Sequence, residues 1–423
     1  MFKPVKIIIL AFLLNYSLYT QPITQSFYNY KTIETKHFKI HFPENYKDFA
    51  NLFLQLAEKI HYELSNIYFI ENKKTHLVLI FCHDISNAYT TVYGMDTIVF
   101  YLTQPQIGSF ANYKDWYRQL IIHEYVHIIT LRPYKGFLNN TFRILFGVPP
   151  NLSLPNGLIE GIAVVEESNN KELIGRLYDA NTNSLLRNQL LYNKFPTIEE
   201  IFGGSYYWPM EDINYLYGAR FIQTIIDKEG SKKQFLLIFY SKHLPVFLRL
   251  RFKENHLKSY DEYYKDFKQN EYNFYKKWFR DKMEISITPY EQLTFNGGEK
   301  KYLKLFNDRL YYFEKSSFRS TGIYILNSNS LFYKSINLND YYIFHEHILT
   351  SEPIYYNGNN IINYNIFYNK KEIIESTNKT TRKWYPLLYK NTLIYIEKND
   401  PYISLIQVPL IKEKLDYYVQ EKQ

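Results

Sequence analysis

The chain carries a single cysteine among 423 residues. Cys82 therefore cannot close an internal disulfide. It reads as a small apolar residue of a strand-like run, 75–82, rather than as half of a metal or nucleophile pair with His83. Long apolar runs are also scarce: beyond the amino end none reaches the roughly 18 residues that a membrane span needs. Nor is there a strong charge of one sign. The formal net charge is +8, with no basic cluster interleaved with a binding motif, which argues against a nucleic-acid partner. What is plentiful is apolar material, 46% of the chain, enough for a sizeable core.

The amino end has a character of its own. Lys3 and Lys6 precede an apolar stretch at 7–14, after which the chain turns polar. A positive segment followed by a short apolar one is the pattern of a signal peptide, here expected to span 1–20 with cleavage near Thr20. An uncleaved membrane anchor is the alternative. No cysteine follows the apolar stretch, which excludes a lipid-anchored form. The expected location is thus outside the cytoplasm: periplasm, outer envelope or medium. Association with the cell envelope stays open, and the oligomeric state is not legible.

The most informative stretch is His123-Glu-Tyr-Val-His127, an H-E-x-x-H motif within a segment that reads as a helix. Histidines at i and i+4 lie one turn apart on one face, so both imidazoles reach a single metal ion. Glu124 projects beside the same point, where a carboxylate can take a proton from activated water. Zinc suits such a site because it binds neutral imidazole and leaves a position open. The helix is expected to begin at Asn112, with Asp115 in a capping-box-like position, and to stop before Pro133. A core helix whose histidines satisfy carbonyl groups is the competing reading.

Two histidines need at least one further ligand. Glu160 is the candidate, in a second helical segment that follows Pro155 and carries Leu158, Ile159, Ile162, Ala163 and Val164. A lone acid in so apolar a run is costly to bury without a partner. The 32 residues between His127 and Glu160 allow a loop and a return helix. Should Glu160 face solvent instead, Glu166 or Glu167 takes its place.

H-E-x-x-H followed by a helix bearing E-G-x-A resembles the gluzincin zinc metallopeptidases, and among them the bacterial peptidase-MA-like proteins. The matching segment is Pro155-Asn-Gly-Leu-Ile-Glu160-Gly-Ile-Ala163. Gly157 stands where the group usually has Trp, and Val164 where thermolysin-like enzymes have an acidic residue that supports a ligand. Glu167 falls where a further Glu often occurs, and either orients a ligand histidine or lies on the surface. The resemblance implies zinc held by His123, His127 and Glu160, with Glu124 as general base. It also implies a phenol that donates to the oxyanion: Tyr215 first, Tyr217 second. It further implies an edge strand just before the motif helix that pairs with an extended peptide, here the run 96–105. The resemblance covers about residues 30–285.

Along the chain, a strand is expected at 37–42, a helix at about 46–68, strands near 75–82 and 96–102, and mostly helix from about 212 to 283. Strands first and helices after suit an α+β zincin-like peptidase domain, 21–284. Beyond it, short runs rich in Leu, Ile and Tyr alternate with Asn, Gly and Ser turns. Residues 285–423 are therefore expected to form an all-β domain, as a partial propeller, an open stack or a small sandwich. His345, Glu346 and His347 read there as surface loop. The functional expectation is an exported zinc metallopeptidase acting on peptide or protein substrates. A catalytically silent zincin-fold binding protein of the envelope is the alternative.

Overall fold

The computed structural model describes residues 29–70, 73–81, 86–103, 115–168, 174–205, 212–283, 288–326, 328, 330–344, 347–355, 362–374, 381–390, 392–399 and 402–409. The amino-terminal apolar stretch, Cys82, His83, Asn112, His345 and Glu346 lie outside them, as does the expected boundary at 284/285.

Mixed α/β structure comes first. Strands β1 (Tyr30–Glu34) and β2 (Phe38–Pro43) lead into helix α1 (Lys47–Ser65), then β3 (Thr75–Ile80), β4 (Ser86–Thr91) and β5 (Thr97–Leu102). They form one sheet in the order β1-β2-β3-β5-β4. β2, β3 and β5 run parallel, and the outer pairs β1/β2 and β4/β5 are antiparallel. Alternation sets the buried face: Phe38, Ile40 and Phe42 of β2 and Leu77 and Leu79 of β3 point into the core. α1 lays Ala50, Phe53, Leu54, Ala57, Ile60 and Leu64 over that face, at the three- and four-residue spacings of a helix stripe.

One strand expectation needs correction. The run at 96–105 is not the edge strand: β5 sits between β3 and β4. Its side chains are buried on both faces, Ile98, Phe100 and Leu102 in the main core and Val99 and Tyr101 in a smaller cluster with Ile80. The edge is β4, Ser-Asn-Ala-Tyr-Thr-Thr. Among the described residues it has one neighbouring strand, and its few apolar residues kept it from being read as a strand.

Helix α2 (Trp116–Leu131) carries the H-E-x-x-H motif and is buried around its whole circumference from Gln119 onward. It stops before Pro133, as expected. Its start differs: Asp115 is the N-cap residue, in the left-handed conformation at φ 59°, and makes no side-chain cap. Helix α3 (Phe137–Phe146) and a 3-10 turn (Pro150–Ser153) lead to α4 (Asn156–Glu167), which begins after Pro155 as the sequence indicates. Then follow α5 (Ala180–Leu191), α6 (Ile198–Gly203), α7 (Asp212–Glu229), α8 (Lys232–Leu236), α9 (Leu248–Glu254) and α10 (Tyr260–Met283). Asn151 ties these parts together. Its buried amide donates to the carbonyl oxygens of Thr130, Pro133 and Phe239, and its oxygen accepts from the buried Arg251.

The residues after 288 are all strand and turn. β6 (Glu299–Phe306), β7 (Arg309–Lys315), β8 (Gly322–Ile325) and β9 (Leu331–Lys334) make one antiparallel sheet. β10 (Asp340–Phe344), β11 (His347–Tyr355), β12 (Ile362–Tyr368), β13 (Lys371–Ile374), β14 (Thr381–Tyr389), β15 (Thr392–Asn399) and β16 (Tyr402–Pro409) make a seven-stranded sheet. Among the described residues neither sheet closes into a barrel. Only the first has the four strands of a propeller blade. Their apolar clusters share no member with the core of residues 38–275. His347 opens β11 and bonds with Asn369 at 2.9 Å.

The closest helix pairing is α4 against α7. Gly157 and Gly161 lie one turn apart on α4 and meet Gly218 of α7. A Cβ at Gly161 would fall 2.5 Å from the Gly218 carbonyl carbon, and one at Gly157 would strike the Ile201 carbonyl oxygen. Gly157 thus removes no packing; it admits a neighbouring backbone, and a Trp could not be housed there. Alanine raises intrinsic helix stability by about 1 kcal/mol over glycine. Gly161→Ala should nevertheless destabilise the chain by about 1–3 kcal/mol in urea unfolding, because one methyl overpacks this contact. Gly203→Ala, where a Cβ meets open space, should be neutral or better. Equal gains from both substitutions would contradict the packing argument.

Candidate metal centre and cleft

The motif helix, α4, α7 and the edge strand β4 enclose a cleft of about 550 Å³. His123, Glu124 and His127 are all buried on α2, and their side chains line it. Glu160 faces them from α4. Its Oε2 lies 3.3 Å from His123 Nε2 and 3.3 Å from His127 Nε2. One ligand atom from each of the three residues falls within 4.8 Å of the others. The three candidates are thus assembled at one point, able in chemical type and spacing to hold a cation. The fallback residue Glu166 points elsewhere, to Tyr68 and Lys232.

A charged chain stands behind this cluster. Glu167, two helical turns after Glu160, is buried and accepts the Nδ1–H of His123 at 2.8 Å. Arg176 then grips Glu167 with two bonds, Nε to Oε1 at 2.7 Å and an η nitrogen to Oε2 at 3.0 Å. Val164, whose identity left the support of the ligands open, is in the core, and Glu167 supplies the contact from the same face of the helix. The Arg176 guanidinium also lies 4.8 Å from the centre of the Tyr215 ring. That ring is near-parallel to His123 at 6.1 Å.

These contacts set the proton inventory. Burial and the Arg176 charge press the His123 pKa down, but hydrogen bonds to Glu160 and Glu167 outweigh them and raise it to about 9. Burial works against ionised Glu160, yet the His127 charge and hydrogen bonds from both histidines hold its carboxyl far below the usual range. Glu167 is likewise held low against burial, first by Arg176 and then by His123. Burial, and then the Glu160 charge, push the Tyr215 phenol well above its ordinary value, so it stays a neutral donor. Tyr217 is not at the site: it is fully buried and donates to Gln189.

Two residues at the cleft have no precedent in the sequence reading. The Thr90 hydroxyl, from β4, donates to Glu124 Oε2 at 2.8 Å and lies 2.9 Å from the Glu124 carbonyl oxygen. Arg176 opens a short 3-10 turn nine residues after Glu167. Neither sits in a periodic pattern or a motif, so only the tertiary fold reveals them.

A scan against protein-family models finds no match for this chain, and a search of the curated proteins finds none either.

The His123 assignment has a measurable consequence in the metal-free chain. Its folded pKa of about 9 lies above the ordinary value of 6.5. The stabilisation it lends is therefore complete below pH 6.5 and is lost as pH rises through 9. The stability difference between wild type and Glu167→Gln, read as urea midpoints, should narrow across that window. A difference that widens with pH would contradict the assignment.

Proposed function

We propose that this cleft hydrolyses peptide bonds with one zinc ion held by His123, His127 and Glu160. The observation that carries the reading is the convergence of the two Nε2 atoms on one oxygen of Glu160, each at 3.3 Å. Zinc bonds of about 2.0–2.2 Å in a tetrahedron set ligand atoms roughly 3.3–3.5 Å apart. The donor set, two imidazoles and a carboxylate, is one that catalytic zinc takes, and His123 has the carboxylate partner that such ligands use. The resemblance to gluzincins, borne by H-E-x-x-H and E-G-x-A, points the same way. When bound, zinc acidifies water and polarises the scissile carbonyl.

The residues divide the remaining tasks. Glu124 takes the proton of the attacking water and delivers it to the leaving amine. Thr90 fixes one oxygen of that carboxylate, which leaves the other for the water. Tyr215, a neutral phenol at the opposite wall, donates to the oxygen on which charge develops. Among the described residues β4 pairs only with β5 and lines the cleft, so an extended peptide would add to its other edge through backbone bonds. We read the chain as exported, on its amino-terminal pattern. The sheets after 288 form a module without a catalytic part.

Glu124→Gln should retain about one zinc per chain and lose about 10²–10⁴-fold in hydrolysis of any peptide that the wild type cleaves. His123→Ala should lose the metal as well. Full turnover by Glu124→Gln would sink the mechanism, and a wild type that holds zinc but cleaves nothing in a peptide library would favour a binding role.

Thr90→Val keeps shape and burial while it removes the donor. It should leave zinc content unchanged and lower kcat by about tenfold with little change in KM, because the carboxylate loses its fixed orientation. An unchanged kcat would show that Glu124 is positioned without it.

A further inference from the structure

Helix α3 is built inside out. Its one fully buried side chain is the polar Asn139, whose amide donates to the carbonyl oxygens of Lys135, Ser241 and His243 at 2.7, 3.1 and 3.3 Å. Its apolar side chains face outward instead: Phe137 is 81% exposed, Ile144 82% and Leu145 70%, with Leu138 and Phe146 exposed too. At 100° per residue Leu138, Phe142 and Leu145 share one side, and Phe137 and Ile144 lie together about 100° round from it. A second outward apolar group lies beside it. The bonds from Asn139 and the seat of Gly136 against Lys242 bring α3 next to the segment 242–250. There Val246, Phe247 and Leu250 are exposed.

The charge around this patch has one sign within its own segments. No acidic residue occurs between Glu124 and Glu160 or between Glu229 and Glu254. Lys135, Arg143, Lys242, Arg249 and Lys253 are exposed there. Acids border the patch: Asp261 pairs with Arg249 at 3.1 Å, and Glu254, the last residue of α9, lies 4.0 Å from Lys242.

We propose that α3 and the segment 242–250 form a docking surface for an anionic lipid bilayer, with the Phe, Leu and Ile side chains at the acyl boundary and the basic residues at the headgroups. An amphipathic helix with an aromatic and aliphatic face and a basic rim binds a membrane surface in this way. An exposed apolar patch of this kind marks an interaction site. A second copy of the chain is the poorer occupant, since pairing like with like would oppose two basic rims. α3 lies on the connection between the motif helix and α4. Docking of this kind requires no metal in the cleft and no hydrolysis there.

The test uses the full chain with Cys82→Ser and one new labelling site, Leu145→Cys, carrying a solvent-sensitive dye. Leu52→Cys on α1, also an exposed position, serves as reference. Vesicles of phosphatidylethanolamine and phosphatidylglycerol should shift the emission at 145 to the blue and leave that at 52 unchanged. Phosphatidylcholine vesicles, or high salt, should weaken the response about tenfold or more. Phe137→Ser combined with Ile144→Ser should abolish the shift without altering thermal unfolding. The proposal is overturned by no shift at 145, by equal shifts at both sites, or by a shift that survives the double substitution. It is also overturned by a shift that grows with protein concentration in the absence of vesicles, which would assign the surface to a second copy.

Discussion

Helices α4 and α7 meet backbone to backbone, and the site depends on that contact. Gly157 and Gly161 on one helix and Gly218 on the other leave no side chain between them. Glu160 is thereby fixed on α4 beside Tyr215, which lies three residues before Gly218 on α7. Asn214 anchors the start of α7 by donating to the Ile201 carbonyl at 2.8 Å, the same group against which Gly157 packs. Three elements thus register through main-chain atoms, whose positions do not change with rotamer. A larger residue at any of the three glycines would move a metal-ligand candidate and a phenol together.

The second constraint is electrostatic. Arg176, Glu167, His123 and Glu160 form a line of alternating charge in a largely buried setting. Each ionised group there has a partner, which keeps buried charge from being prohibitive. The line also has a direction. Arg176 keeps Glu167 ionised, Glu167 fixes the ring of His123 through Nδ1, and the Nε2 atom is left to face the cleft. His127 differs: its Nδ1 is buried and has no hydrogen-bond partner among the described residues. The two imidazoles are therefore held unequally: both face Glu160 through Nε2, but only His123 has a charged partner at Nδ1.

The elements with strong periodicity were legible in the sequence. The strand at 38–43, the long helix after it, the motif helix, the Glu160 helix and the change to strands after 288 follow from apolar spacing and turn residues. The meeting of His123, His127 and Glu160 was expected as well, because i, i+4 spacing on one helix face and an acid in an apolar run are local signals. What failed was what depends on neighbours. β5 read as an edge because its place between β3 and β4 is a fact of topology, and β4 escaped notice because an edge strand need not be apolar. Gly157 read only as a departure from the Trp of the group, since the backbone that fills the space comes from Ile201, 44 positions on. Thr90 and Arg176 act across the fold and leave no mark in the local pattern.

Everything proposed for the cleft rests on His123, His127 and Glu160 forming one zinc site. X-ray absorption at the zinc edge of the metal-loaded chain tests it most directly. The first shell should hold nitrogen and oxygen only, at about 2.0–2.2 Å, with the outer-shell scattering of two imidazoles. Sulfur in the first shell, a single imidazole, or zinc that washes out without a defined shell would contradict it.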